Sequence, residues 1–180
     1  MENFSINYNN KTYWISRSIA VSGFIFSKCQ YNNQYYILAN KRGSGCVDYP
    51  GYWNCPCGYL DYDENLNQAM IRELFEETGI QLSETDIYPI YINSDPKENR
   101  QNVTVRYIGI VDDILFYDFS TEHSEENEIE EIRWIPVDAI NAYKWAFNHN
   151  LIIREIFNDY IKIPWYKKFI LKLYKRYFNK

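Results

Sequence analysis

Three glutamates, Glu73, Glu76 and Glu77, fall within five residues of one another, directly after Arg72. Like charges three or four positions apart on a helix cost about 0.2–0.5 kcal/mol per pair, so the crowding works against stability. Oxygen ligands gathered in this way suit a hard cation, and Mg²⁺ in particular is held by a few carboxylates together with the phosphates of a substrate. Such an ion would cancel the repulsion, polarise a P–O bond and lower the pKa of a bound water. The plainer reading of any acidic run is a solvated helix face. Two neighbours set this run apart: a cation, Arg72, adjoins it, and a glycine-bearing loop precedes it.

A helix is a better platform for such ligands than a loop, because it fixes their geometry. Its ends are marked here. Asn65 can cap it with Gln68 three residues on as the capping-box partner, and Gly79 supplies a left-handed stop. At 100° per residue, Glu73, Glu76 and Glu77 lie within about 100° on one side. Ile71, Leu74, Phe75 and Thr78 gather on the other as the expected core face, with Arg72 at the border.

The flanking chain supplies strands. Residues 18–26 (SIAVSGFIF) and 34–40 (QYYILAN) read as a pair joined through Asn32-Asn33, and Lys41-Arg42-Gly43-Ser44-Gly45 breaks the pattern. Residues 47–57 carry Pro50, Gly51 and Pro56 and read as a loop leading into a short strand near Trp53. Residues 87–92, 103–111 and 132–135 read as further strands, with a polar connection over 93–102 and an acidic loop over 118–131. Helical patterns run over 137–160, and after Pro164 a last helix is expected over 165–178. The elements are mixed without βαβ regularity and without repeats, which defines an α+β domain over 1–161 and a C-terminal extension over 162–180.

Gly58, Glu64, Arg72-Glu73, Leu74, Glu76-Glu77, Gly79 and Ile80 fill every fixed position of the pattern G-x5-E-x7-R-E-U-x-E-E-x-G-U. The chain thereby resembles the Nudix hydrolases over roughly residues 15–146. The resemblance implies an α/β/α sandwich around a mixed sheet. It also implies Mg²⁺- or Mn²⁺-dependent hydrolysis of a nucleoside diphosphate linked to another group, by attack of water on phosphorus. Carried over residue by residue, Glu73, Glu76 and Glu77 are expected metal ligands, and Arg72 is expected to hold a box glutamate by a bidentate ion pair. Glu64 is expected to orient the loop or bind a further ion. Members often add a carboxylate from a loop shortly before a tryptophan-bearing strand. Here Glu128, six residues before Trp134, is favoured, with Glu126 second. Glu76, Glu77 and the loop glutamate compete as general base. The family usually has two glycines before the box loop, and Cys57 replaces the first. Its backbone carbonyl is an expected metal donor, and its thiol an alternative one.

Relatives acting on ADP-ribose often carry a proline about sixteen positions after the box. Pro96 stands sixteen after Ile80, although Asp95-Pro96 also reads as a plain surface turn. By residue type, Arg42 and Arg100 are candidates to hold phosphates, and a side chain such as Trp53 to stack a base. An intact box favours an enzyme over the alternative, a non-catalytic nucleotide-binding or regulatory module of the same fold.

Net charge is −5, but the seven Lys and Arg of residues 162–180, with no acid among them, leave −12 on the first 161 residues. An acidic body excludes a broad phosphate-contacting surface for nucleic acid but not a small nucleotide held with a metal. The basic tail carries a broad apolar stripe (Trp165, Phe169, Ile170, Leu173, Tyr174, Tyr177, Phe178), expected to pack on the domain or a second subunit, or else to lie weakly on an anionic membrane. The first 16 residues lack a basic segment followed by an apolar one, and Cys29, Cys46, Cys55 and Cys57 match neither a disulfide framework nor zinc-finger spacing. A cytoplasmic protein with reduced thiols is expected.

Overall fold

The computed structural model describes residues 4–162; the helix expected over 165–178 lies outside them. The strand patterns become β3 (Ser18–Lys28), β4 (Tyr35–Arg42), β5 (Trp53–Asn54), β6 (Cys57–Tyr59), β7 (Ile87–Asn93), β8 (Asn102–Val111) and β9 (Ile129–Pro136). They form one seven-stranded sheet in the order β5-β4-β3-β8-β7, with β6 paired to β3 and β9 to β4. The β3–β8 pair is parallel and its neighbours are antiparallel, so the sheet is mixed.

Alternation along each strand divides the core into two layers. Val21 and Ile25 of β3, Leu38 of β4 and Val105 and Tyr107 of β8 face helix α1 (Leu66–Thr78), which presses Met70 and Leu74 onto them. Phe24, Phe26, Ile37, Ile108 and Ile135 face the opposite way, under α2 (His149–Ile156) and the turns that flank it. The result is the α/β/α sandwich the pattern implied. As expected, α1 carries a complete Asn65/Gln68 capping box and ends at Gly79, φ 74°.

Three elements differ from expectation. Residues 4–15, to which the sequence assigned no element, form a hairpin of β1 (Phe4–Tyr8) and β2 (Lys11–Ile15). Its turn, Asn9-Asn10, takes φ of 50° and 58°, the left-handed pair that favours a tight hairpin. The acidic loop ends sooner, because Ile129 already pairs with Arg42. The helical stretch over 137–160 is interrupted. A 3₁₀ segment spans Val137–Ala142, and the chain then runs beside β5, where Trp53 N donates to the Lys144 carbonyl and Ala146 N to that of Trp53 (both 2.8 Å). These sheet-like bonds outcompete helix continuation until Asn148, itself left-handed.

Candidate active site

Helix α1 and the loop before it meet at Gly58. A Cβ built there would stand 2.1 Å from the carboxyl carbon of Glu73, so only glycine lets the helix lay this carboxylate against β6. Arg72 organises the rest. Its Nε and Nη2 grip the two oxygens of Glu64 at 3.0 and 2.7 Å, the bidentate pair expected, while Nη1 donates to Glu73 Oε1 (2.8 Å) and Glu76 Oε2 (2.9 Å). Nη2 also donates to the Tyr59 carbonyl at 2.9 Å, and Glu64 Oε1 accepts from Asp61 N at 2.9 Å. One guanidinium thus ties the loop to two box carboxylates. The Arg72 bond holds the Glu64 carboxyl below its ordinary range. A groove of about 610 Å³ follows the Arg72 side of the helix, lined by Glu64, Gln68, Ile71, Arg72, Phe75 and Leu82 among others.

The buried side of α1 consists of Ala69, Met70, Leu74, Glu77 and Thr78, which corrects the core face expected from Ile71, Leu74, Phe75 and Thr78. Glu77 is only 2% exposed. Burial of a carboxylate is tolerable there because its Oε2 accepts from Asn40 Nδ2 and from Cys57 N, each at 3.1 Å. Burial, reinforced by the charges of Glu73 and Glu128, pushes the Glu77 carboxyl well above the usual range. Burial likewise pushes Glu73 up to about 7, against the lowering pull of Arg72.

Glu128 stands just before β9. Its carbonyl accepts from Gly43 N (2.6 Å) and the Cys46 thiol (3.3 Å), while Gly45 N donates to the Asn127 carbonyl (2.9 Å). Its charge reaches Glu73 and Glu77. Glu126, by contrast, is exposed. Arg42 lies at the end of β4, its charge lowering Glu77, and its Nε donates to the Asp48 carbonyl at 2.7 Å. Pro96 and Arg100 are exposed on the β7–β8 loop, where Asp95 closes a turn with Lys97 N (2.9 Å). No described contact brings either to the carboxylates. Trp53, suggested to stack a base, is only 6% exposed and packs in the core beside Tyr143, which removes it from that role.

Several supporting residues carried no local signal. Asn40 is one. Arg17 is another, fastening the β7–β8 loop through the carbonyls of Ser94 and Asn99, both at 2.7 Å. His123 stacks on Phe75 with ring centroids 4.4 Å apart, and pins the acidic loop to α1. The Gly43-Ser44-Gly45 break was visible in sequence, but not that it would hold Glu128.

The donor set is compatible with a hard divalent cation. Carboxylates are forced together with their negative charge only partly matched by Arg72, and Asn40 Oδ1 and Asn54 Oδ1 are buried beside them without a hydrogen-bond partner. Among the described residues no three His, Cys, Asp or Glu side chains already stand as a closed metal cage, and Arg72 engages three of the box carboxylates, Glu64, Glu73 and Glu76. The four cysteines are free. No described helix is long and apolar enough to cross a membrane.

This geometry belongs to a known class. The NUDIX domain family model matches residues 19–156, and the chain belongs to that family. It is 28% identical over 147 residues to an RNA pyrophosphohydrolase of Wolbachia pipientis, covering 70% of this chain and 88% of that protein. An isopentenyl-diphosphate Delta-isomerase of Klebsiella pneumoniae is 25% identical over 138 residues, 71% of each chain. The m7GpppN-mRNA hydrolase NUDT17 of Danio rerio is 41% identical over 51 residues, a match that spans 28% of this chain and 17% of that protein. In fold, the chain is similar to the NUDIX domain of Shewanella oneidensis NrtR, complexed with ADP ribose. The TM-score is 0.66 at 20% identity, over 80% of this chain and 88% of that one.

Proposed function

We propose that the protein hydrolyses a pyrophosphate bond in a nucleoside diphosphate linked to another group, with Mg²⁺ or Mn²⁺ as cofactor. The observation that carries this reading is the buried Glu77 carboxylate of α1, bonded to Cys57 N of β6 and raised by the charges of Glu73 and of Glu128 at the start of β9. The names borne by the Wolbachia and Danio relatives agree with it.

Glu73, Glu76, Glu77 and Glu128 would hold the metal, which supplies charge neutralisation of the diphosphate and an acidified water. Burial pushes the Cys57 thiol up, and a neutral thiol is a poor ligand, so Cys57 offers its backbone carbonyl instead. Arg72 positions Glu73 and Glu76. Glu77 Oε2 is saturated by two donors, which leaves Oε1 with no donor among the described residues and able to receive a proton. Its raised basicity suits a general base, a role for which Glu76 and Glu128 compete. Arg42 would meet a phosphate. Pro96 and Arg100 would act from the β7–β8 loop, next to which Asn102, the first residue of β8, donates its Nδ2 to the Tyr59 hydroxyl at 3.3 Å; ADP-ribose is the substrate the Pro96 position favours.

A panel of ADP-ribose, dinucleotides, nucleotide sugars and nucleoside triphosphates, assayed with Mg²⁺ and phosphate detection, tests the reading. Glu77→Gln should lower turnover by roughly 10²–10⁴-fold with the fold intact by circular dichroism. A near-normal rate in that variant refutes the assignment.

A further inference from the structure

The N-terminal hairpin stands apart from the sheet that carries the carboxylates. Among the described residues, β1 and β2 pair only with each other. A two-stranded hairpin is marginal in water until a third strand or another layer joins it. All five residues of β1 are exposed. Phe4, Ile6 and Tyr8 share one face and are 47%, 48% and 65% exposed, and Ile15, opposite Phe4, is exposed as well. The described domain leaves this apolar face uncovered.

β1 also lacks the devices that keep sheet edges apart. Charges, proline and bulges serve that purpose. β7, an edge of the seven-stranded sheet, has Pro89 and a register shift between Pro89 and Tyr91. β1 has no charge and no proline, and its register with β2 is unbroken from Phe4 to Tyr8. Tyr8 and Lys11 flank the two-residue turn, so Phe4, Ile6 and Tyr8 direct their N–H and C=O groups to β2. The Thr12 hydroxyl donates to Asn7 Oδ1 at 2.8 Å, as fits one of the closer, non-hydrogen-bonded pairs between. The N–H and C=O groups of Ser5 and Asn7 therefore face the open edge.

The order of residues along β1 says what fits there. Phe4-Ser5-Ile6-Asn7-Tyr8 runs ring, polar, isoleucine, polar, ring, the same pattern in both directions. Laid antiparallel on an identical strand, it sets Ile6 against Ile6, Ser5 against Asn7 and Phe4 against Tyr8. Both outward-facing residues then exchange hydrogen bonds, the rings meet across the strands, and no like charges face each other. We propose that β1 pairs with β1 of a second copy of this chain about a two-fold axis at Ile6, making a four-stranded sheet that joins two domains. Such a contact uses the same patch on both copies and closes on itself.

Sedimentation of the full chain tests this. The wild type should run at twice the 21.7 kDa mass of one chain. Ser5→Pro removes an N–H that the hairpin does not use, and Ile6→Lys sets two like charges face to face. Each should weaken the dimer at least about tenfold. Under a mild oxidant, Ile6→Cys should link the copies covalently beyond any wild-type background, because paired Cα atoms there stand about 4.5 Å apart. Tyr8→Cys, opposite Phe4, should not. A monomeric wild type overturns the proposal and means that the face is covered within one chain or not at all. A dimer that survives both Ser5→Pro and Ile6→Lys overturns it too, by placing the interface elsewhere. Failure of Ile6→Cys to cross-link a dimer refutes the two-fold register. Thermal melts check that the variants fold; if Ile6→Lys does not, Ser5→Pro and the cysteine pair decide.

Discussion

The Glu73 carboxyl is moved from its ordinary 4.5 up to about 7 by burial, and this gives the metal-free protein a definite pH dependence. A carboxyl raised in the folded state contributes stability that is present below its unfolded pKa and lost as pH rises through the folded value. The window is therefore 4.5 to 7. At about 1.4 kcal/mol per pKa unit, ionising Glu73 in the folded protein costs about 3 kcal/mol at pH 8 and under about 1 kcal/mol at pH 5. For a chain of this size that difference lowers Tm by roughly 5–10 °C between the two pH values. Glu77 is raised by the same cause and adds to the slope. Glu73→Gln keeps an oxygen for Arg72 Nη1 and removes the titration, so its Tm should fall much less across the window. The assay is a set of thermal melts in a chelator from pH 5 to 8, on both proteins. Mn²⁺ should then raise Tm more at pH 8 than at pH 5, because ions displace protons from their ligands. Identical slopes for the two proteins would refute the reasoning.

Gly58→Ala forces a Cβ into the Glu73 carboxylate and should cost about 1–3 kcal/mol together with most of the activity, measured by melts and phosphate release. Arg17→Met removes donors to the carbonyls of Ser94, Asn99 and Asn102; it should cost about 1.5–3 kcal/mol and open 94–102 to limited proteolysis. Glu128→Gln should slow turnover by at least about tenfold, and Glu126→Gln should leave it near the wild-type rate. Reversal of that order in a kinetic comparison would reassign the loop carboxylate.

Much of this architecture could be read from the residues. The box placed α1, its capping box, its left-handed end and its carboxylates, because those features are local and periodic. The strands followed from β-branched alternation. What escaped the reading depends on contacts distant in sequence. Glu77 was grouped with Glu73 and Glu76 on the helix face opposite the core, whereas it is buried and bonded to Asn40, 37 residues away. The 137–160 stretch had helical periodicity, yet β5 recruited its middle as a sheet neighbour. Trp53 looked available because tryptophan is often a binding residue, whereas the fold uses it as core. The N-terminal hairpin was legible after all, in the alternation of Phe4, Ile6 and Tyr8 before Asn9-Asn10, and was passed over because its polar partners dominate the composition.

The acidic loop between β8 and β9 is pinned at both ends. Upstream, Ser120 N donates to the Thr78 carbonyl at 3.0 Å and His123 stacks on Phe75. Downstream, Asn127 and Glu128 are fastened to the glycine turn after β4, so closely that a Cβ at Gly43 would sit 2.1 Å from the Asn127 oxygen. Only residues 124–126 bridge the two anchors. That short span is itself tied to Glu128, whose N donates to the Glu125 carbonyl at 3.1 Å and whose Oε2 accepts from Glu125 N at 3.3 Å, so an insertion or a dye placed there would tug directly on the Glu128 carboxylate.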